Sequence, residues 1–369
     1  MIISNIVSAY ISPFIVRAKE MGYETHVYAV PTGRPGEKLA DVFHPIPSFN
    51  QALLLEECRK LKPCGVVSAC SDEAMKVMNS LLREMGIPCN SLLTEVITTN
   101  KCYTREVLRQ AGLPSPKYIQ IREAVPKDIR RKIRGFHFPL IAKPVDMSAS
   151  RGVIKIPNAL QLKSGIEYAL ERSNHRTVIL EEYIDGQEYS GQGIAWQGEC
   201  HLLSVTQKEM TPDHFVEMRY SQPPEVDEAT YQKIEKTMLQ AFSALKIEYG
   251  AMCPDFRIGK DGNVYIFEVG TRMPSDWLGT DLVPLATGYD YTGMVIDICC
   301  GKAPSFERMH EPKKGKIQYI ISKEDMAEYE QLKREHPERI IKSYLTDRRP
   351  KDEIRCSADR GGMYIAEIV

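Results

Sequence analysis

From residue 1 to about 95, short apolar runs alternate with amphipathic stretches. Ile11 to Met21 has the spacing of a helix ended by Gly22, and Glu24 to Val30 that of a strand. Gln51 to Leu61 is helical again, and residues 65–70 (GVVSAC) form a buried apolar strand. Ser71 to Met85 predicts a further helix, with Asp72 and Glu73 suited to its positive N-terminal end. Strand–helix–strand alternation predicts a parallel sheet with helices on its faces. The glycine fingerprint of a dinucleotide site does not follow the first strand, so this region reads as a scaffold or a substrate wall.

A helix over 100–111 is stopped by Gly112, Pro114 and Pro116, which also start an extended segment. Strands are expected at 138–143, 153–156, 177–182, 188–196, 201–206, 250–258 and 263–269. Val226 to Ile247 predicts a long helix, with Tyr231, Ile234, Met238, Phe242 and Leu245 as its buried stripe. The polar stretch 204–222 reads as a loop between strand and helix. After Ser305 the chain turns polar (EPKKGK), as expected of a linker to a small α+β tail. The fold class is therefore mixed α/β and α+β.

Composition narrows the function. The 369 residues carry 48 basic and 49 acidic side chains, a formal charge of −1, which argues against a partner that is nucleic acid or anionic membrane. No apolar run approaches the ~18 residues of a membrane helix, and the N-terminus has no charge before Arg17, unlike a signal peptide. The ten cysteines form no CxxC pair, so neither a zinc site nor a disulfide scaffold is indicated, and a reducing cytoplasm is expected.

The candidate chemistry concentrates in residues 250–272, GAMCPDFRIGKDGNVYIFEVGTR. Asp261-Gly262 signals a hairpin. With a two- or four-residue loop centred there, Asp255 faces Glu268, while Phe256 faces Phe267 and Ile258 faces Tyr265 on the core side. A three-residue loop breaks that register. Two opposed acids call for a cation between them, and Mg²⁺ held by one or two carboxylates and completed by nucleotide phosphates suits the pair. The same pair on a solvated surface hairpin would cost only a few tenths of a kcal/mol, so the segment alone leaves both readings open. Arg272 lies on the same face, either to hold a phosphoryl group or to pair with one of the acids.

Other segments offer anion-binding groups. Lys143 ends an apolar strand, and Ser148, Ala149, Ser150, Arg151 and Gly152 form a small-residue loop that is either a phosphate lid or a plain turn. Lys101 sits in the first turn of a helix, as an anion contact or a solvated lysine. In ILEEYIDGQEYS, backbone between Glu182 and Ile184 is placed to pair with an adenine edge and Glu188 to accept ribose hydroxyls; a hairpin with acidic shoulders explains the pattern equally. Lys208, His214, Glu217 and Arg219 are candidates for an acceptor pocket or a solvated loop.

Taken in order, these segments resemble the ATP-grasp superfamily, in particular its carboxylate–amine ligase branch, which includes bacterial L-amino acid ligases. The resemblance covers nearly the whole chain. It implies a preATP-grasp domain at 1–95 and an ATP-grasp core at 96–310. Within that core, 96–185 form a small lobe with the lid and 186–310 the metal-binding lobe; a small C-terminal domain follows at 311–369. It implies ATP and Mg²⁺ (or Mn²⁺) as cofactors, with Lys101 and Lys143 on phosphate and Ser148 to Gly152 as the lid. Glu181 (side chain) and Ile184 (N–H) would hold adenine, Glu188 ribose, Asp255 and Glu268 the metal, and Arg272 the closing contact. The implied reaction activates a small-molecule carboxylate as an acylphosphate for attack by an amine, and a homodimer is common among relatives. Three positions depart from the pattern. Gly270 stands where many relatives have a metal-binding asparagine, so that either water or a nearby side chain such as Asp276 would complete the shell or the second magnesium would bind weakly; Cys253 replaces a histidine or arginine; and the lid has one glycine. The alternatives are a carboxylase or purine-pathway relative, and a nucleotide-binding module that has lost turnover.

Overall fold

The computed structural model describes residues 1–5, 7, 11–68, 71–147, 150–212, 215–346, 354 and 356–368. Three sheets organise the chain. The first is four-stranded and parallel, with Ile2–Ile3 (β1), His26–Tyr28 (β2), Val42–His44 (β3) and Val67–Ser68 (β4) in the order β3-β2-β1-β4. Helix Ser12–Glu20 connects β1 to β2, Gln51–Leu61 connects β3 to β4, and Asp72–Glu84 follows β4. The expected parallel sheet is present with shorter strands; residues 69–70 of the expected fourth strand lie outside the described residues. Helix Asp72–Glu84 is capped by Ser71, whose Oγ accepts the Ala74 N–H, and carries Asp72 and Glu73 in its first turn.

Two helices, Leu92–Thr99 and Lys101–Gln110, lead into the second sheet. Asn100 caps the latter by accepting from Cys102 and Tyr103. The second sheet is antiparallel, with Tyr118–Arg122 (β5), Leu140–Pro144 (β6), Ile154–Ile156 (β7) and Thr177–Glu182 (β8) in the order β5-β8-β6-β7.

The third sheet has eight strands: Gly186–Trp196 (β9), Glu199–Met210 (β10), Glu217–Gln222 (β11), Gly250–Gly259 (β12), Val264–Gly270 (β13), Gly315–Ile320 (β14), Ile340–Leu345 (β15) and Gly362–Glu367 (β16). Their order is β13-β12-β9-β10-β11-β14-β16-β15. The C-terminal strands thus hydrogen-bond directly onto β11, continuing the sheet that carries the acidic pair. Helix Glu228–Ala244 covers this sheet, burying Ile234, Met238 and Phe242 fully, with Leu245 beyond its end, against Tyr189, Val205, Met252, Phe256 and Ile266. Each of these large side chains contributes about 2–5 kcal/mol by the usual cost of truncation to alanine.

The polar stretch 204–222 is not a loop. Strand β10 runs on to Met210 and pairs with β11, Gln207 opposite Ser221 and Lys208 opposite Tyr220. Hydrophobic patterning misses this because much of the buried face is polar: Ser204, Thr206 and Gln222 all donate to Gln192 Oε1, and Gln222 also donates to Thr206. Among the described residues no helix is long and apolar enough to cross a membrane.

Candidate active site

Asp255 and Glu268 are direct cross-strand partners, as expected, but by a different route. The turn is a three-residue loop: Gly262 N–H donates to the Gly259 carbonyl and Gly259 N–H to that of Asn263. Gly262 has φ +72°, the left-handed step this loop requires. Such a loop alone would set Asp255 opposite Phe267. A β-bulge then shifts the register between Asp255 and Phe256 and restores the acidic pair. The expected core pairs are therefore corrected: Phe256 faces Ile266 and Ile258 faces Val264, with Phe256, Ile266 and Val264 buried. The extra residue, Phe267, turns toward the site with Tyr265.

The bulge is held from outside the sheet. In a regular strand successive carbonyls point to opposite sides; here those of Ile266 and Phe267 both accept from the Arg105 guanidinium, each at 3.0 Å. Arg105 is fully buried and also binds both oxygens of Glu181, at 2.8 and 3.2 Å. Lys143 completes this cluster with its ammonium 2.6 Å from Glu181 Oε1 and 5.0 Å from the centre of the Phe267 ring.

These groups line a cavity of about 440 Å³ between the second and third sheets. Of the residues picked out by sequence, Lys101, Lys143, Glu181, Ile184, Glu188, Asp255, Glu268 and Arg272 all border it, as do Ser150, Lys208, Glu217 and Cys253. Gly152 does not. It turns the chain at φ +77°, where a Cβ would strike the Pro144 ring at 2.7 Å. Ser148 and His214 lie outside the described residues. Arg219 is engaged with Gln318 and Glu209 rather than with the cavity.

Electrostatics assign distinct states to the acids. Burial alone would push Glu181 up, but Arg105 and Lys143 outweigh it and hold the carboxyl at about 2. Its carboxylate, on the cavity wall, is engaged by both Arg105 and Lys143. Burial pulls Lys143 below the ordinary lysine value despite Glu181 beside it. Asp255 is pushed up by burial and by the like charges of Glu188 and Glu268, against the pull of Lys208. Glu188 is held down, against burial, by Lys208 and Arg257, the latter 2.7 Å away. Arg272 pairs with Asp72 at 2.6 Å, linking the acidic hairpin to the first sheet's helix.

Arg105, Arg257 and Asp72 are residues at this site that sequence reasoning passed over or left without a role in it, whereas Lys208, a candidate for an acceptor pocket, pairs with Asp255 and Glu188. One signal was available: Lys101 and Arg105, four apart, share a helix face that is otherwise buried.

As for a metal, Asp255 and Glu268 offer oxygen from side chains 28% and 33% exposed. Gly270 has no donor, and Asp276 is engaged by Arg360 and Tyr319, each at 3.0 Å, which corrects its expected place in the shell. Among the described residues no group of three acids, histidines or cysteines could enclose an ion. Two hard carboxylates beside a polar cavity fit Mg²⁺, which needs only one or two and takes the rest of its octahedron from phosphate and water.

Comparison with known proteins now defines the class. Residues 136–281 match the ATP-grasp domain family. D-alanine–D-alanine ligase of Trichlorobacter lovleyi is 26% identical over 237 residues, covering 61% of this chain and 73% of the relative. The enzyme of the same name from Acetivibrio thermocellus is 27% identical over 231 residues, 57% of this chain and 58% of that protein. Among solved structures, an L-amino acid ligase from Bacillus licheniformis superposes with a TM-score of 0.81 at 20% identity over 99% of this chain and 92% of that one. An N5-carboxyaminoimidazole synthetase from Staphylococcus aureus complexed with ADP gives 0.77 at 18% identity, covering 100% and 92%. Residues 136–281 are thus an ATP-grasp domain, and the superposition over nearly the whole chain shows the same fold beyond it. These relatives and the structural neighbour support the carboxylate–amine branch and an ADP-forming carbon–nitrogen ligase.

Proposed function

We propose that the protein joins a small-molecule carboxylate, amino-acid-like in character, to an amine through an acylphosphate, consuming ATP. The observation that carries this reading is the opposition of Asp255 and Glu268 across a bulged ribbon, on the wall of a cavity shared with Lys101, Lys143 and Arg272. Asp255 and Glu268 hold Mg²⁺, which when bound neutralises phosphate charge. Lys101 and Lys143 present ammonium groups to the phosphates, and Arg272 stabilises the transferring phosphoryl group. Ile184 faces adenine and Glu188 the ribose, while Glu181 acts from below by orienting Lys143. The substrate carboxylate attacks the γ-phosphorus and ADP departs; the amine then attacks the acyl carbon and phosphate departs. The chain supplies position and charge and no covalent nucleophile.

The test is ADP release from paired carboxylate and amine substrates, beginning with amino acids, with mass spectrometry of the product. Release that requires both partners and yields the amide supports the reading. Release driven by bicarbonate would favour a carboxylase, and nucleotide binding without release under every mixture would favour a module that has lost turnover.

A further inference from the structure

The acidic pair is not open to solvent cations on equal terms. Lys208 extends from β10 between two acids, its ammonium 3.3 Å from Asp255 Oδ1 and 3.2 Å from Glu188 Oε1, with the Tyr220 ring 5.9 Å away. It is buried and lines the cavity. Lys101 stands over the other member, 3.7 Å from Glu268 Oε2, and is anchored by donating to the Met147 carbonyl at 2.7 Å. Glu188 is also held by Arg257, and each proposed metal ligand has an ammonium beside it, Lys208 at Asp255 and Lys101 at Glu268. The four charges of Asp255, Glu268, Lys101 and Lys208 sum to zero. A divalent ion entering alone meets two ammonium groups where it needs uncompensated oxygen. A nucleotide triphosphate changes this, because its oxygens give the ammonium groups a second partner and bring the negative charge that the ion requires.

We propose that Lys208 is a resident counter-ion of Asp255 that closes the carboxylate pair to a free divalent cation, so that the ion is admitted only together with nucleotide phosphates. Lys208 is then a positioning residue, and its neighbour Glu188 sets where the ammonium rests when Asp255 is given up. The inference rests on the metal assignment made under the proposed function.

Mn²⁺ serves as the probe, followed by electron paramagnetic resonance of the protein with and without a non-hydrolysable ATP analogue. The wild-type protein is expected to bind Mn²⁺ tightly only when the analogue is present. Lys208→Met is expected to raise Mn²⁺ affinity in the absence of nucleotide by about tenfold or more, through loss of a like charge at close range. Lys208→Arg should retain the wild-type behaviour. Because Lys208→Met leaves Glu188 with one partner fewer, the double variant Lys208→Met/Glu188→Gln keeps the charge balance and is measured beside it. Unchanged nucleotide-free affinity in both variants, or wild-type protein that binds Mn²⁺ equally well without the analogue, overturns the proposal. Glu268→Gln separates the two levels: if analogue-dependent Mn²⁺ binding survives in it, the metal assignment itself fails. If Glu268→Gln abolishes binding while the Lys208 variants change nothing, only the counter-ion role fails.

Discussion

Arg105 and Glu181, fully buried on a helix and on a strand of a different sheet, meet in a two-pronged ion pair beneath the nucleotide-facing wall. Because the same guanidinium caps the two bulge carbonyls, one side chain ties the lysine-bearing sheet to the acid-bearing one. Replacing Arg105 with methionine strands Glu181 in the interior with Lys143 as its remaining partner. The expected loss is about 3–5 kcal/mol of folding free energy, the usual result of breaking a buried pair from one side. Urea denaturation of the two proteins measures it.

The pair also has a pH signature. Glu181 lies at about 2 in the folded protein against an ordinary value of 4.5, so the unfolded chain binds a proton first as pH falls. Its stabilising contribution is complete above the unfolded value and is lost as pH drops from about 4.5 toward 2. The difference in stability between wild type and Glu181→Gln should therefore shrink through that window and stay constant from pH 6 to 8. A difference that grew on acidification would contradict the assignment.

Glu268→Ala removes one of the two carboxylates proposed to hold the metal, from a partly open wall where it pairs with Lys101 at 3.7 Å. Turnover should fall by at least about a hundredfold, the scale for loss of a group that stabilises developing charge. The circular-dichroism spectrum and melting temperature should be retained.

Lys143→Met keeps the apolar stem and deletes the ammonium, while Arg105 still satisfies Glu181. A charged hydrogen bond to phosphate is worth about 1.5–3 kcal/mol, so the dissociation constant for ATP should rise roughly tenfold to a hundredfold. Calorimetric titration with the nucleotide reads this directly.

Gly270 leaves room at the position where the resemblance to the ATP-grasp superfamily implies an asparagine. A Cβ built there meets nothing nearer than the flexible Arg272 side chain, at 3.6 Å, and the glycine does not occupy the left-handed region. Gly270→Asn should fold normally and tighten Mn²⁺ binding in the presence of nucleotide several-fold by adding a third oxygen donor. Equal affinity in the variant would show that position 270 does not face the ion.

Much of the site was legible because its signals are local. Asp261-Gly262, the strand-ending Lys143 and the spacing of Glu181, Ile184 and Glu188 each lie within one short segment. Helix and strand positions such as Gln51–Leu61 and Thr177–Glu182 follow from periodicity for the same reason. What escaped depends on contacts distant in sequence. The bulge that restores the Asp255–Glu268 pair is tied in place from Arg105, well over a hundred residues earlier, and no hairpin rule contains that information. Strand β11 escapes hydrophobic patterning because only Tyr220 and Gln222 of it are buried, and Gln222 lies against polar partners. The sequence offers Asp276 as a spare ligand, but its partners Arg360 and Tyr319 lie 84 and 43 residues away.

The continuity of the eight-stranded sheet sets a limit on dissection. A chain cut at residue 310 would leave β11 with a bare edge where β14 had been bonded, an invitation to intermolecular pairing. It would also discard Arg360, the guanidinium that grips Glu217 and Asp276 on the far wall of the cavity. The tail is therefore no removable appendage: a truncated ligase core should precipitate or lie idle, however intact its nucleotide machinery looks on paper.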